Sequence, residues 1–148
     1  MSDYDKAPAS GARFYAIRLK PGQDVVKELR AFVNANRLKA VSIVSVVGSL
    51  NTALLRYANT GVWAEVSGHF EIVSLVGTID EKGEHLHISL SDRTGKTIGA
   101  HFGVGSSVYT TAEIILAELE DLSFHREPCE KSGWDELVVA SRWPQAVV

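Results

Sequence analysis

The sequence predicts a single α+β domain, a mostly antiparallel β-sheet with one or two flanking helices. Three observations carry that expectation. Many short runs alternate apolar and polar residues or are β-branched, only one segment has a clear helical period, and turn residues separate the runs. The 148 residues fit one domain, and a chain of that size buries enough surface for a core without staples.

Residues 1–12, with Ala7, Pro8 and Gly11 among them, read as a flexible N-terminal arm, and 13–148 as the domain. Arg13–Leu19 alternates, with Tyr15, Ile17 and Leu19 on one face, which predicts a strand. Pro21-Gly22 turns the chain. Asp24 is a cap for a helix in which Val25, Val26, Leu29, Phe32 and Val33 recur at helical spacing. Val41–Val47 is a β-branched run expected to end at Gly48, with a separate strand at Asn51–Tyr57 and a turn at Asn59-Thr60-Gly61. Phe70–Ile79 is apolar on both faces and predicts a central strand covered on both sides. Thr111–Leu119 fits strand or helix. Short strands are expected at Phe124–Glu127 and Glu136–Val139, around Lys131-Ser132-Gly133.

Composition narrows the function. Hydrophobic residues make up 45% and charged residues 22%, ordinary proportions for a soluble protein. The first six residues lack the basic-then-apolar order of a signal peptide, and the longest uncharged stretch falls short of the roughly 18 residues of a membrane span. A cytoplasmic location is expected. The single Cys129 excludes an internal disulfide framework and Cys-rich zinc motifs. Residues 1–60 carry nine basic and four acidic residues, and 61–148 carry six and fourteen. The basic ones are scattered and the pI is about 5.9, which disfavours a nucleic-acid surface.

The chemistry concentrates in His85-Leu86-His87-Ile88-Ser89-Leu90-Ser91-Asp92, Arg93-Thr94-Gly95, and Lys96 to Phe102. Both flanks alternate around a three-residue loop in which Gly95 supplies a positive φ, the pattern of a β-hairpin. In that register Asp92 faces Lys96, Ser89 faces Gly99 and His87 faces His101. Strand period two puts His85 on the face of His87. All three imidazoles then converge, with Leu86, Ile88, Leu90, Ile98, Ala100 and Phe102 on the opposite, core face. A His-x-His pair alone is commonly just a polar strand face, so the cross-strand third histidine is what favours a metal. Three His ligands without Cys suit Zn2+ or a similar divalent transition metal and leave a fourth position for water or a small-molecule ligand. Gly99 and Gly103 are expected to leave open space beside the cluster. Glu71 is a candidate catalytic assistant, although an ion pair with Arg56 is the simpler expectation for a carboxylate in an apolar strand. Gly103-Val104-Gly105-Ser106-Ser107 lacks the Lys and helix that a phosphate loop requires.

These residues resemble a known family, the plants-and-prokaryotes-conserved (PPC) domain. Gly48-Ser49-Leu50 through Leu54-Leu55-Arg56 resembles its early segment. Gly68-His69-Phe70-Glu71-Ile72-Val73 resembles its Gly-Arg-Phe-Glu-Ile-Leu signature, with His69 in place of Arg. His85 to Leu90 with Gly99-Ala100-His101 resembles the histidine-bearing prokaryotic form. The resemblance implies a homotrimer with metal on His85, His87 and His101. The fold is also similar to those of acetolactate decarboxylase and of a zinc-dependent ester hydrolase family, both with three-histidine zinc sites, a likeness of fold and ligand type that transfers no reaction. The expectation is a metal-binding protein whose chemistry, if it is an enzyme, is zinc-assisted hydrolysis or lyase chemistry on a small molecule. Plant members join the domain to AT-hooks that bind AT-rich DNA. The Arg-Gly-Arg-Pro core of a hook is absent here, so direct DNA contact is not expected. The alternative expectation is a non-enzymatic assembly or regulatory module acting with DNA-associated partners.

Overall fold

Seven strands and one helix account for the regular structure of residues 7–143, the part that this computed structural model describes. Strand β1 (Ala12–Leu19) leads into helix α1 (Val25–Ala35), followed by β2 (Val41–Arg56), β3 (Ala64–Ile79), β4 (Glu84–Ser91), β5 (Thr97–Leu119), β6 (Leu122–Cys129) and β7 (Trp134–Ser141). The described part of the expected arm, from Ala7 to Gly11, lies outside regular structure, and its first six residues lie outside the described range.

Five strands form one antiparallel sheet in the order β1-β5-β2-β3-β4, and β4 pairs back onto β5. The last pairing closes β5, β2, β3 and β4 into a ring whose interior is the core. Leu86, Ile88 and Leu90 of β4 point inward with Phe102, Ile114 and Leu116 of β5 and Leu50 and Leu55 of β2. Closure leaves few free strand edges, and packing inside the ring fixes which residue of each strand faces in.

Helix α1 contributes Val25, Val26, Leu29 and Val33 to that core. Asp24 is the predicted cap: its Oδ1 accepts from Lys27 N at 3.0 Å, filling one of the unpaired donors of the first turn. Its Oδ2 accepts from the amides of Gly105 and Ser106 at 2.7 and 3.1 Å, and Ser106 Oγ accepts from Val25 N at 2.9 Å. These bonds tie the helix start to the middle of β5. The amides of the glycine-rich stretch are thus spent on a helix cap, in line with its reading as no phosphate loop.

Two expectations need correction, and one open reading resolves to strand. The runs at Val41–Val47 and Asn51–Tyr57 are one continuous strand, because Gly48 bends the chain (φ 150°) without ending its pairing. A Cβ at Gly48 would lie 2.1 Å from the Thr111 carbonyl oxygen, so only glycine lets β2 and β5 approach this closely. Thr111–Leu119 is strand, its Ile114 and Leu116 buried against α1 and β2. The strand from Phe70 is not covered on both faces: Val73 and Val76 are more than half exposed. A register shift between Ile72 and Ser74 turns both outward, next to the exposed Val44 and Val47 of β2.

The ladder beside the histidines depends on Gly77 of β3, at φ 138°, whose Cβ would meet the His85 carbonyl oxygen at 1.9 Å. Gly77→Ala is expected to lower stability by about 1–3 kcal/mol or more, since it adds a backbone clash to left-handed strain. Urea unfolding monitored by circular dichroism checks it, with Gly83→Ala, whose added Cβ would meet nothing within 4 Å, as a near-neutral control.

Candidate metal centre

Asp92 closes the hairpin that builds the site. Its Oδ1 accepts from Thr94 N at 2.8 Å, from Thr94 Oγ1 at 2.7 Å and from Lys96 N at 3.0 Å, while Gly95 adopts φ 85°. The Thr94 hydroxyl and these amides hold the Asp92 carboxyl below its usual range. The loop is Arg93-Thr94-Gly95, and the register beyond it pairs Ser91 with Thr97, Ser89 with Gly99 and His87 with His101.

His85, His87 and His101 stand together on the outer face of the hairpin. Their ring centroids are 5.0, 5.2 and 5.6 Å apart, and one nitrogen from each lies within 4.8 Å of the others. Donors held at Zn–N distances of about 2.0–2.1 Å lie closer together than that, so modest ring rotations complete the set. The donor set is three imidazoles. Partial burial lowers the proton affinity of His85, helped by His87 and Arg126. His101 is pushed down to about 4, first by burial and then by the charge of Arg56. The rings of His85 and His101 therefore present lone pairs at neutral pH, as a borderline divalent ion requires. The residues fit zinc or a similar metal.

The cluster opens into a cavity of about 1290 Å³. The β6–β7 hairpin forms its far wall and brings in Arg126, Trp134, Asp135 and Glu136. Arg126 anchors that wall through Thr78 Oγ1 at 3.0 Å and the buried Asp80 at 3.5 Å. Asp80 also accepts from the amides of Lys82 and Gly83, which shapes the β3–β4 turn just before His85.

The structure separates the other expected groups. Glu71 is exposed, pairs in register with Ser49 and Ser91, and does not line the cavity. Arg56 makes no ion pair with it. Its guanidinium instead lies 5.6 Å from the Trp63 ring and 5.2 Å from the Trp134 ring. Nor is there open space at Gly103: Trp63 fills it, and a Cβ there would sit 2.6 Å from the indole. Trp63, Trp134 and Arg126 were not legible as site residues. The only sequence signal for the two tryptophans is that each follows a Gly-containing turn.

The comparisons with known proteins bear on this site. The Plants and Prokaryotes Conserved (PCC) domain model matches residues 6–120. The chain belongs to that family. A solved structure of a hypothetical protein from Salmonella enterica is 47% identical, covering 92% of this chain and 99% of that one with a TM-score of 0.90. A metal-containing protein from Archaeoglobus fulgidus is 23% identical over 87% of this chain and 94% of its own, with a TM-score of 0.74, and shares the fold. Among curated proteins, the bifunctional protein GlmU of Synechococcus sp. (strain JA-3-3Ab) is 40% identical over 88% of this chain. The PCC chain spans about a fifth of the length of the curated relatives it first matches, 21% of that GlmU. No helix of the described residues is long and apolar enough to cross a membrane.

The depressed histidines couple stability to pH. The unfolded chain binds protons on His85 and His101 near pH 6.5, whereas the folded chain resists them, His101 down to about 4. Stability of the metal-free protein is therefore expected to fall as pH drops from about 6.5 to about 4. His101→Asn is expected to flatten part of that slope, as read by thermal melts at fixed ionic strength between pH 7 and 4.

Proposed function

We propose that this PCC-domain chain is a homotrimeric metal-binding protein. Each protomer holds one zinc or similar divalent ion on His85, His87 and His101 for hydrolase or lyase chemistry on a small molecule. The observation that carries the reading is the convergence of three imidazoles at the wall of an open cavity. When bound, such an ion supplies a Lewis acid with one position left for water or substrate.

The chain's own contribution is positional. The paired strands hold His87 opposite His101, the same strand holds His85 two residues away, and the core side chains beneath keep the rings from turning inward. Of the cations that line the cavity, Arg126 is matched with Asp80, and Arg56 is the one placed beside His101. Glu71 lies outside the cavity, and no proton transfer is assigned to it. The archaeal fold relative described as metal-containing agrees with this reading.

The count of three subunits follows from the family resemblance. Its support in this chain is an apolar outer face, Val44, Val47, Val73 and Val76, each more than half exposed. Four clustered valines on a strand surface favour a protein contact over water.

Protein purified without chelator is expected to carry about one transition-metal ion per chain by plasma emission analysis. His87→Ala should lose more affinity than the roughly 10–100-fold cost of an outer-shell change. Metal-free wild-type protein that also fails to take up added Zn2+ would sink the metal reading and leave the regulatory-module alternative. Light scattering is expected to give the mass of three chains, and Val73→Asp to shift it towards monomer.

A further inference from the structure

Arg56 is a cation without an anion. Arg30 is matched with Glu84, Nη2 to Oε1 at 2.6 Å, and Arg126 with Asp80. Among the described residues no carboxylate or carbonyl accepts a hydrogen bond from the Arg56 guanidinium, and its Nε is buried without a partner. Unpaired buried donors are costly, most of all on a charged group. The side chain is nevertheless held in place. Its aliphatic stem leaves β2 directly opposite His101, and its charged end lies over Trp63 and Trp134.

That position faces the three-histidine cluster. The Trp63 ring lies 5.5 Å from that of His101 and 5.6 Å from the Arg56 guanidinium, so one indole buttresses both. Both contacts are with ring π-systems, so among the described residues the terminal N–H donors of the guanidinium have no protein acceptor and are left for a ligand. A planar fork of donors matches the two oxygens of a carboxylate. Asp135 and Glu136 line the same cavity and repel a dianion more strongly than a monoanion.

We propose that Arg56 is the carboxylate-recognition residue of this site, and that the ligand taken beside the three histidines is a small monocarboxylate. This rests on the metal reading above and deepens it by naming the ligand class. Trp63 and Trp134 act as positioning residues that hold the fork in the cavity. An exposed salt-bridging role for Arg56 is ruled out by its lack of a partner, and a purely structural cation–π role predicts no dependence of ligand affinity on its charge.

The test uses the full chain loaded with Co2+, whose visible absorbance reports on the ion's surroundings, titrated with glycolate and separately with inorganic phosphate. Wild-type protein is expected to give a saturable change with glycolate and weaker binding of phosphate. Arg56→Ala should retain its cobalt and bind glycolate about 10–100-fold more weakly, the loss expected for charge-assisted hydrogen bonds. Arg56→Lys, which keeps the charge but not the fork, should fall between. Unchanged glycolate affinity in cobalt-loaded Arg56→Ala overturns the proposal, as does tighter binding of phosphate than of glycolate. If circular dichroism shows Arg56→Ala unfolded, Arg56→Lys decides: wild-type affinity overturns the proposal and a several-fold loss supports it. Wild-type protein that takes up no cobalt overturns the metal reading, and the carboxylate assignment with it.

Discussion

Strand register in one hairpin governs everything built on this fold. Asp92 collects two backbone amides and a hydroxyl within five residues, and Gly95 relaxes into a conformation that other residues resist. Together they permit one loop length. From that loop the pairing of His87 with His101 follows four residues further along the β4 strand. A slip of a single residue would send the imidazoles into the core and Leu86, Ile88 and Phe102 into solvent. The hydrophobic cost of that exchange, with three fully buried large side chains at stake, is what makes the register firm. The site is thus held less by contacts among the histidines than by the apolar side chains behind them.

Closing the ring has a geometric price at the backbone. Two long strands, β2 and β5, must bend through several register shifts to meet both neighbours, and glycine sits where backbones crowd. Gly48 and Gly77 each lie under a carbonyl oxygen that no Cβ could approach. The same irregularity turns Val44, Val47, Val73 and Val76 outward, giving the domain an apolar exterior on the side away from its core. Bulges of this kind re-aim side chains, and here they turn Val73 and Val76 outward, Val76 in register with His87 at the cavity.

Electrostatics in the cavity are arranged around cations. Arg126 is pinned to Asp80 and Thr78 and secures the β6–β7 wall, whereas Arg56 stays unpaired beside His101 and lowers that imidazole's proton affinity. That charge adds to burial in keeping the His101 imidazole unprotonated near neutrality. Aromatic contacts from Trp63 and Trp134 offset part of the cost of holding such a charge away from water.

Alternation, turn chemistry and capping residues acted locally, so the amino-acid order by itself determined the helix behind Asp24, the β4–β5 hairpin and the meeting of His85, His87 and His101. Those features depend on neighbours a few residues apart, and their periods survive in the chain as written. Contacts between segments distant in sequence were decided by tertiary structure alone. Gly48 reads as a strand end until β5 is laid against it, and an apolar run such as Phe70–Ile79 carries no record of which face will be covered. The same holds for Arg56: Glu71 is a carboxylate of the next strand in an otherwise apolar run, but the closed ring turns it away and folds Trp134 over the guanidinium instead. Long-range closure chose these partners because packing of the whole ring, and not any local preference, sets the direction in which a side chain points.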